Sequence, residues 1–417
     1  MSKYLFNSQS VNKHTLLLGA FLILIIAVFF ASFTTYSNYV IYPVFVMWVP
    51  YILINFNVLS KNERTFVGVS FLFLLLVLVY SFIGYSRVNQ QLLLRTINWI
   101  MAGVIAVYVL KFFSERELSV VYVVLTISII ALLYIFISTG RTLLVMEEQN
   151  DAAGVANAWY GSLFMLLSGL SLIVFMHVKS WIPRIVALAV FLLALYLNFF
   201  ILQRGINVIF TLAEIGMILV FTLKRKGLVY FFSVIILLAA FMVYASGLLI
   251  VFFDWFADII PSDRLASRFR EISTALFYED MEASSGSLAG RSRLIGISWN
   301  TFTSSIGHFV FGAGEHSGDN TIIGHHSFFI DTLAGYGIIG GVMMFVYFKK
   351  QYQIIMSYLD KKSDWGLYMQ CSIVFMFYIL RNFYGGVAND FANLILLVYF
   401  PLTFQVIQYY NPRSIVN

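Results

Sequence analysis

Four of the six histidines, His308, His316, His325 and His326, fall between residues 308 and 326. Imidazole titrates near neutrality and can take a proton from a hydroxyl, so this grouping suggests a general base. His326 stands out because Ser327 follows it and is suited to cap a helix running through Phe328, Ile330, Leu333 and Ile338. The positive end of a helix dipole favours neutral imidazole, the form that accepts a proton. Asp331 comes one turn later in apolar surroundings, where a carboxylate needs a partner such as a histidine or an arginine. With Glu315 and Asp319 nearby, the histidines are also of a type that holds metal, but adjacent His325 and His326 lack the i, i+4 spacing of a helical site. The reading adopted uses no metal and no cofactor.

Arginine supplies the complementary chemistry. Arg204 sits in the short turn QRGIN between two apolar runs, where its charge must face protein or a cavity. Arg291 and Arg293 (GRSR) open a stretch with Ile295, Trp299 and Phe302 on Arg291's helical face. Arg95 and Arg381 lie near helix ends, where they can support a site or snorkel to headgroups. Glu214 lies inside an apolar run and is expected to make a polar contact between helices.

The elements that position these residues are set by composition. The chain has 417 residues, 60% hydrophobic and 11% charged, with a mean hydropathy of +0.87. Soluble domains carry roughly 25% charged residues, so a soluble globular enzyme is excluded. A single cysteine, Cys371, excludes a disulfide scaffold and a cysteine metal site. The excess of basic residues is read as membrane topology, and no nucleic acid is expected as a partner.

Apolar runs of about 20 residues fall at 15–34, 39–56, 66–84, 92–113, 119–138, 154–178, 185–202, 206–223, 228–253, 327–348, 366–381 and 391–409. The expected fold is therefore an all-α polytopic membrane protein of about twelve spans. The first run is read as a membrane helix and not as a cleaved signal peptide. Residues 1–253 form a membrane bundle, 254–326 a large outer loop, and 327–417 the last three spans. In the loop, residues 263–278 place Leu265, Phe269, Ile272 and Leu276 at the spacing of an interfacial amphipathic helix. With cytoplasmic termini, all eleven lysines fall inside, and all ten basic residues outside are arginines. Orientation alone would use either residue type. Only the guanidinium grips phosphate oxygens bidentately, so an anionic ligand on the outer side is expected.

Residues 290–341 (GRSRLIGISWNTFTSSIGHFVFGAGEHSGDNTIIGHHSFFIDTLAGYGIIGG) resemble the O-antigen ligase and polymerase superfamily. The shared pattern is Arg291 with Gly307 sixteen positions on, Trp299 in an aromatic-rich helix, Gly312 and Gly314 in a G-x-G turn, His326 with Ser327, and Gly337 with Gly340. The resemblance implies an inverting, metal-independent membrane glycosyltransferase of the C-type class acting on polyprenyl-diphosphate-linked glycans. Arg291 and Arg204, with Arg293, would bind the donor diphosphate, and His326 would activate the acceptor hydroxyl. The doubled histidine leaves His325 as the alternative base.

The expected activity is polymerisation of undecaprenyl-diphosphate-linked repeat units into O-antigen, capsule or exopolysaccharide. The expected location is the outer face of the bacterial cytoplasmic membrane. Lipid-linked oligosaccharides would serve as donor and acceptor, with membrane lipid and a chain-length-regulating co-polymerase as further partners. A ligase delivering the glycan to lipid A core or another acceptor is the alternative, and a polysaccharide transporter or flippase is a third reading. A transporter would spread charges along the interior of its spans, whereas these gather at one face.

Overall fold

The computed structural model describes residues 11–30, 37–83, 87–147, 151–201, 205–222, 248–259, 263, 266–267, 269–270, 287–314, 323, 327–359, 365–383 and 393–410. Among these the regular elements are all helical: α1 (Val11–Phe30), α2 (Ser37–Asn55), α3 (Lys61–Ile83), α4 (Arg87–Phe112), α5 (Glu115–Glu147), α6 (Asp151–His177), α7 (Trp181–Tyr196), α8 (Gly205–Phe221), α9 (Leu248–Ile259), α10 (Ser287–Thr303), α11 (Ile306–Phe311), α12 (Phe328–Met356), α13 (Trp365–Phe383) and α14 (Phe400–Tyr410). Five of the helical stretches are long and apolar enough to cross a membrane: Val40–Val58, Lys61–Phe82, Glu115–Ser138, Trp181–Phe199 and Phe328–Met356. Shorter apolar helices lie at Thr15–Val28, Thr96–Phe112, Ser162–His177, Val208–Phe221 and Ile395–Ile407.

The bundle turns its polarity inside out. Val46, Leu53, Ile54 and Phe82 are exposed on its perimeter, whereas Ser70, Asn198, Gln351, Gln370 and Asn393 are buried. A soluble protein does not expose such a surface, but lipid solvates it well. Side chains and interhelical hydrogen bonds then decide which helices meet. Asn393 donates to the Trp99 carbonyl at 2.6 Å and to the Tyr347 hydroxyl at 3.0 Å, and accepts from Gln351 at 2.9 Å. This cluster joins α4, α12 and the residues before α14, and Gly103 lets it close because a Cβ there would meet Tyr347 Oη at 3.0 Å. Pro43 and Pro50 lie inside α2, which nevertheless continues to Asn55.

The division expected at residue 254 falls within α9, Leu248–Ile259. One sequence expectation needs correction. The helix expected to run unbroken from its Ser327 cap into the tenth span instead folds back at Gly337, whose φ of 63° and ψ of −165° are non-helical. A straight helix would separate Phe328 from Phe348 by about 30 Å. Their ring centroids lie 6.2 Å apart, and Phe329 is 5.5 Å from Phe348. Residues 328–336 and 338–356 are therefore the two limbs of a hairpin with Gly337 at its tip.

Glycine permits the reversal because this φ/ψ region is almost closed to other residues. The break leaves the carbonyls of Ala334 and Gly335 without the amides of residues 338 and 339 that a continuous helix would offer. The Gly312–Gly314 turn takes their place: Ala313 N–H donates to the Ala334 carbonyl at 2.8 Å and Gly314 N–H to the Gly335 carbonyl at 3.0 Å. The approach is so close that a Cβ at Gly312 would collide with Gly335, and one at Gly337 with the Val310 carbonyl. From α3, the Tyr80 hydroxyl donates to the Phe311 carbonyl. Its ring packs on Tyr336 at 5.4 Å between centroids.

Candidate functional site

The site is built where α10 meets the short limb of α12. Ser327 caps that limb, its hydroxyl accepting from Ile330 N–H at 3.3 Å. Asp331 reaches back one turn and accepts from Ser327 N–H at 2.9 Å. Its other carboxylate oxygen accepts from the Ser298 hydroxyl of α10 at 2.6 Å. This reciprocal cap resembles a capping box whose acid stands one residue late. The residue directly after His326 is thus held both by the helix it opens and, through Asp331, by α10. Below Ser298, Phe302 packs on Leu333, Ala334 and Ile323, which fixes the register of the two elements.

Arg291 lies in α10 seven residues before Ser298. Two helical turns place it on the same face, about 10 Å further along the axis. Arg293 is exposed and, two residues on, projects from the opposite side of α10. The helix begins at Ser287, four residues before the expected start. Trp299 is exposed and Phe302 is buried. His308, expected in a loop, lies in α11, with its Nδ1 2.7 Å from the Ser304 hydroxyl.

A second basic position is buried at the end of α13. Gln370 donates to the Ile218 carbonyl at 3.5 Å, and the Phe377 and Phe210 rings meet edge to face at 6.1 Å. These pairs set α8 and α13 antiparallel. The same register carries Arg381, only 1% exposed, to the level where α8 begins. Arg204 immediately precedes α8 in sequence and lies outside the described residues. So do His316, His325, His326, Glu315 and Asp319. Arg95 lies in α4.

In the expected outer helix, Phe269 and Ala266 pack against Val208 of α8 and Ala257 of α9. Arg270 pairs with Asp258 at 2.7 Å in an exposed salt bridge. Leu265, Ile272 and Leu276 lie outside the described residues. Such an exposed pair contributes at most about 1 kcal/mol, so apolar contact does more to seat this segment.

Sequence reasoning missed Ser298 and the union of the two glycine motifs. Ser298's signal was a hydroxyl in an apolar helix at i+7 from Arg291. No signal in the sequence alone pairs Gly312 and Gly314 with Gly335 and Gly337, because that match depends on backbone meeting backbone. No family model matches the chain, and no curated protein does.

Proposed function

We propose that the protein is a glycosyltransferase of the cytoplasmic membrane that polymerises undecaprenyl-diphosphate-linked repeat units on its outer face. The observation that carries this reading is the Ser298–Asp331–Ser327 junction. It ties Ser327, the residue that follows His326 in sequence, to the helix that bears Arg291.

In this reading the acceptor hydroxyl attacks the anomeric carbon of the donor glycan from the face opposite the diphosphate. Its proton passes to the neutral imidazole of His326 as the new glycosidic bond forms. The bond from the anomeric carbon to the diphosphate oxygen breaks, and the electron pair leaves with polyprenyl diphosphate. Guanidinium groups at Arg291 and Arg204, with Arg381 in support, compensate the charge that grows on that oxygen. The imidazolium then returns its proton to water. Attack opposite the leaving group inverts the anomeric centre. The isoprenoid tail needs an apolar exit, which lipid-facing helices provide. Asp331 acts here as a positioning residue, setting the start of α12 through two hydrogen bonds.

The test is the product pattern in cells lacking the gene. A polymerase leaves single-repeat glycan on its acceptor. Full-length chains stranded on the lipid carrier would instead identify a ligase, and unpolymerised repeat units trapped on the cytoplasmic side would identify a flippase.

A further inference from the structure

Glu214 lies in the middle of α8, fully buried, and neither carboxylate oxygen has a hydrogen-bond partner among the described residues. The polar contact between helices expected for it is not made by those residues. Its carboxylate instead rests on the bare α-carbon of Gly169 in α6, where a Cβ would lie 2.9 Å from Glu214 Cδ and 2.9 Å from Val374 of α13. Any larger residue at 169 would displace the acid, so the glycine forms its cradle.

A third orphaned acceptor lies on the same side of α8. Asn198, in the π-helical turn Leu197–Ile201, donates to the Thr211 hydroxyl at 3.4 Å while its own Oδ1 has no donor among the described residues. Thr211 is one turn before Glu214 on the same helix face. The junction of α6, α8, α13 and the π turn therefore holds three acceptor oxygens that receive no hydrogen bond from the described residues. A bare carboxylate in such a place would be very costly, and a positive ligand or a proton removes that cost. A hard metal ion surrounds itself with about six oxygens or more. The glycine contact leaves no space for such a shell, whereas a proton needs one oxygen and turns the acid into a donor.

We propose that Glu214 is a proton-binding site of the helical bundle, carrying a neutral carboxylic acid at neutral pH. The other titratable or charged groups on the packed elements, among the described residues, are few. On α6 there is His177, about 12 Å further along the axis, whose Nε2 is 2.8 Å from Gln370 Oε1. On α13 there are Tyr368, Cys371, Tyr378 and the buried Arg381. At the far end of α8, α9 contributes Asp254 and Asp258, the latter paired with Arg270. Arg381 lies two turns outward from Val374 on the same face of α13. The site stands apart from glycosyl transfer, and its test does not use that reaction.

The experiment treats the full-length protein in lipid nanodiscs with dicyclohexylcarbodiimide, which adds to protonated buried carboxyls, and maps the adduct by mass spectrometry. Infrared spectra of the same samples report the carbonyl stretch of a protonated acid. The expected result is an adduct on the Glu214 peptide and an acid carbonyl band at neutral pH, both lost in Glu214→Gln and both declining as the pH is raised. Absence of that Glu214-dependent band at neutral pH overturns the proposal, whether or not the adduct forms. Protection of the adduct by sodium over potassium also overturns it, because the site would then hold a metal cation.

Discussion

The Ser298 hydroxyl and the Asp331 carboxylate meet at 2.6 Å, although 33 positions separate them in the chain. The bond joins α10 to the first turn of the short α12 limb, and Asp331 at the same time holds the backbone amide of Ser327 at 2.9 Å. One carboxylate thus orients both elements that carry the proposed chemistry.

Removing that hydroxyl should loosen the site without unfolding the bundle. A hydrogen bond to a charged group contributes about 1.5–3 kcal/mol, so Ser298→Ala should lower glycan elongation on the order of ten- to a hundredfold. Ser298→Thr keeps the hydroxyl and should recover most of the loss. Comparing elongation rates of both variants at equal membrane abundance checks the assignment, because a packing role for Ser298 would not distinguish them in this direction.

The hairpin tip should tolerate no side chain. Gly337→Ala forces a Cβ into the Val310 carbonyl at a φ of 63°. A loss of at least ~3 kcal/mol is expected, near the upper end for backbone strain of this kind. Gly19→Ala in α1 meets nothing within 4 Å and should hold or raise stability by up to about 1 kcal/mol. Thermal unfolding of the two variants in one detergent should move in opposite directions, or fall for Gly337→Ala alone.

Arg291 and Arg293 should differ despite standing two residues apart. Only Arg291 shares the α10 face of Ser298, and Arg293 is exposed. Lysine cannot reproduce a bidentate grip on phosphate. Arg291→Lys should therefore reduce kcat/KM for the lipid-linked donor by about tenfold or more, while Arg293→Lys stays within about twofold. Equal losses would show that the α10 face does not select between them.

These residues also mark what a sequence can and cannot disclose. Among the described residues the apolar runs are largely helical because hydrophobic length is written locally, and α2 forms even with Pro43 and Pro50 inside it. The Ser327 cap was legible for the same reason: the residues that make it are within one turn of each other. Asp331's need for a partner could be read, but not that Ser298 would fill it, since the pairing depends on how α10 lies against α12. The reversal at Gly337 was hidden in an apolar stretch that satisfies every local rule for one continuous span. It arises because the amides of Ala313 and Gly314, more than 20 positions earlier, satisfy the carbonyls it leaves open. The assignments of Arg204, His325 and His326 rest on sequence, since all three lie outside the described residues.

The most direct measurement is elongation by purified protein supplied with a lipid-linked repeat unit as donor and acceptor, comparing the wild-type chain with His326→Ala and His325→Ala. The account predicts a ladder of lengthened glycans that His326→Ala abolishes and His325→Ala retains, with donor binding kept in both. Undiminished elongation by His326→Ala would contradict it.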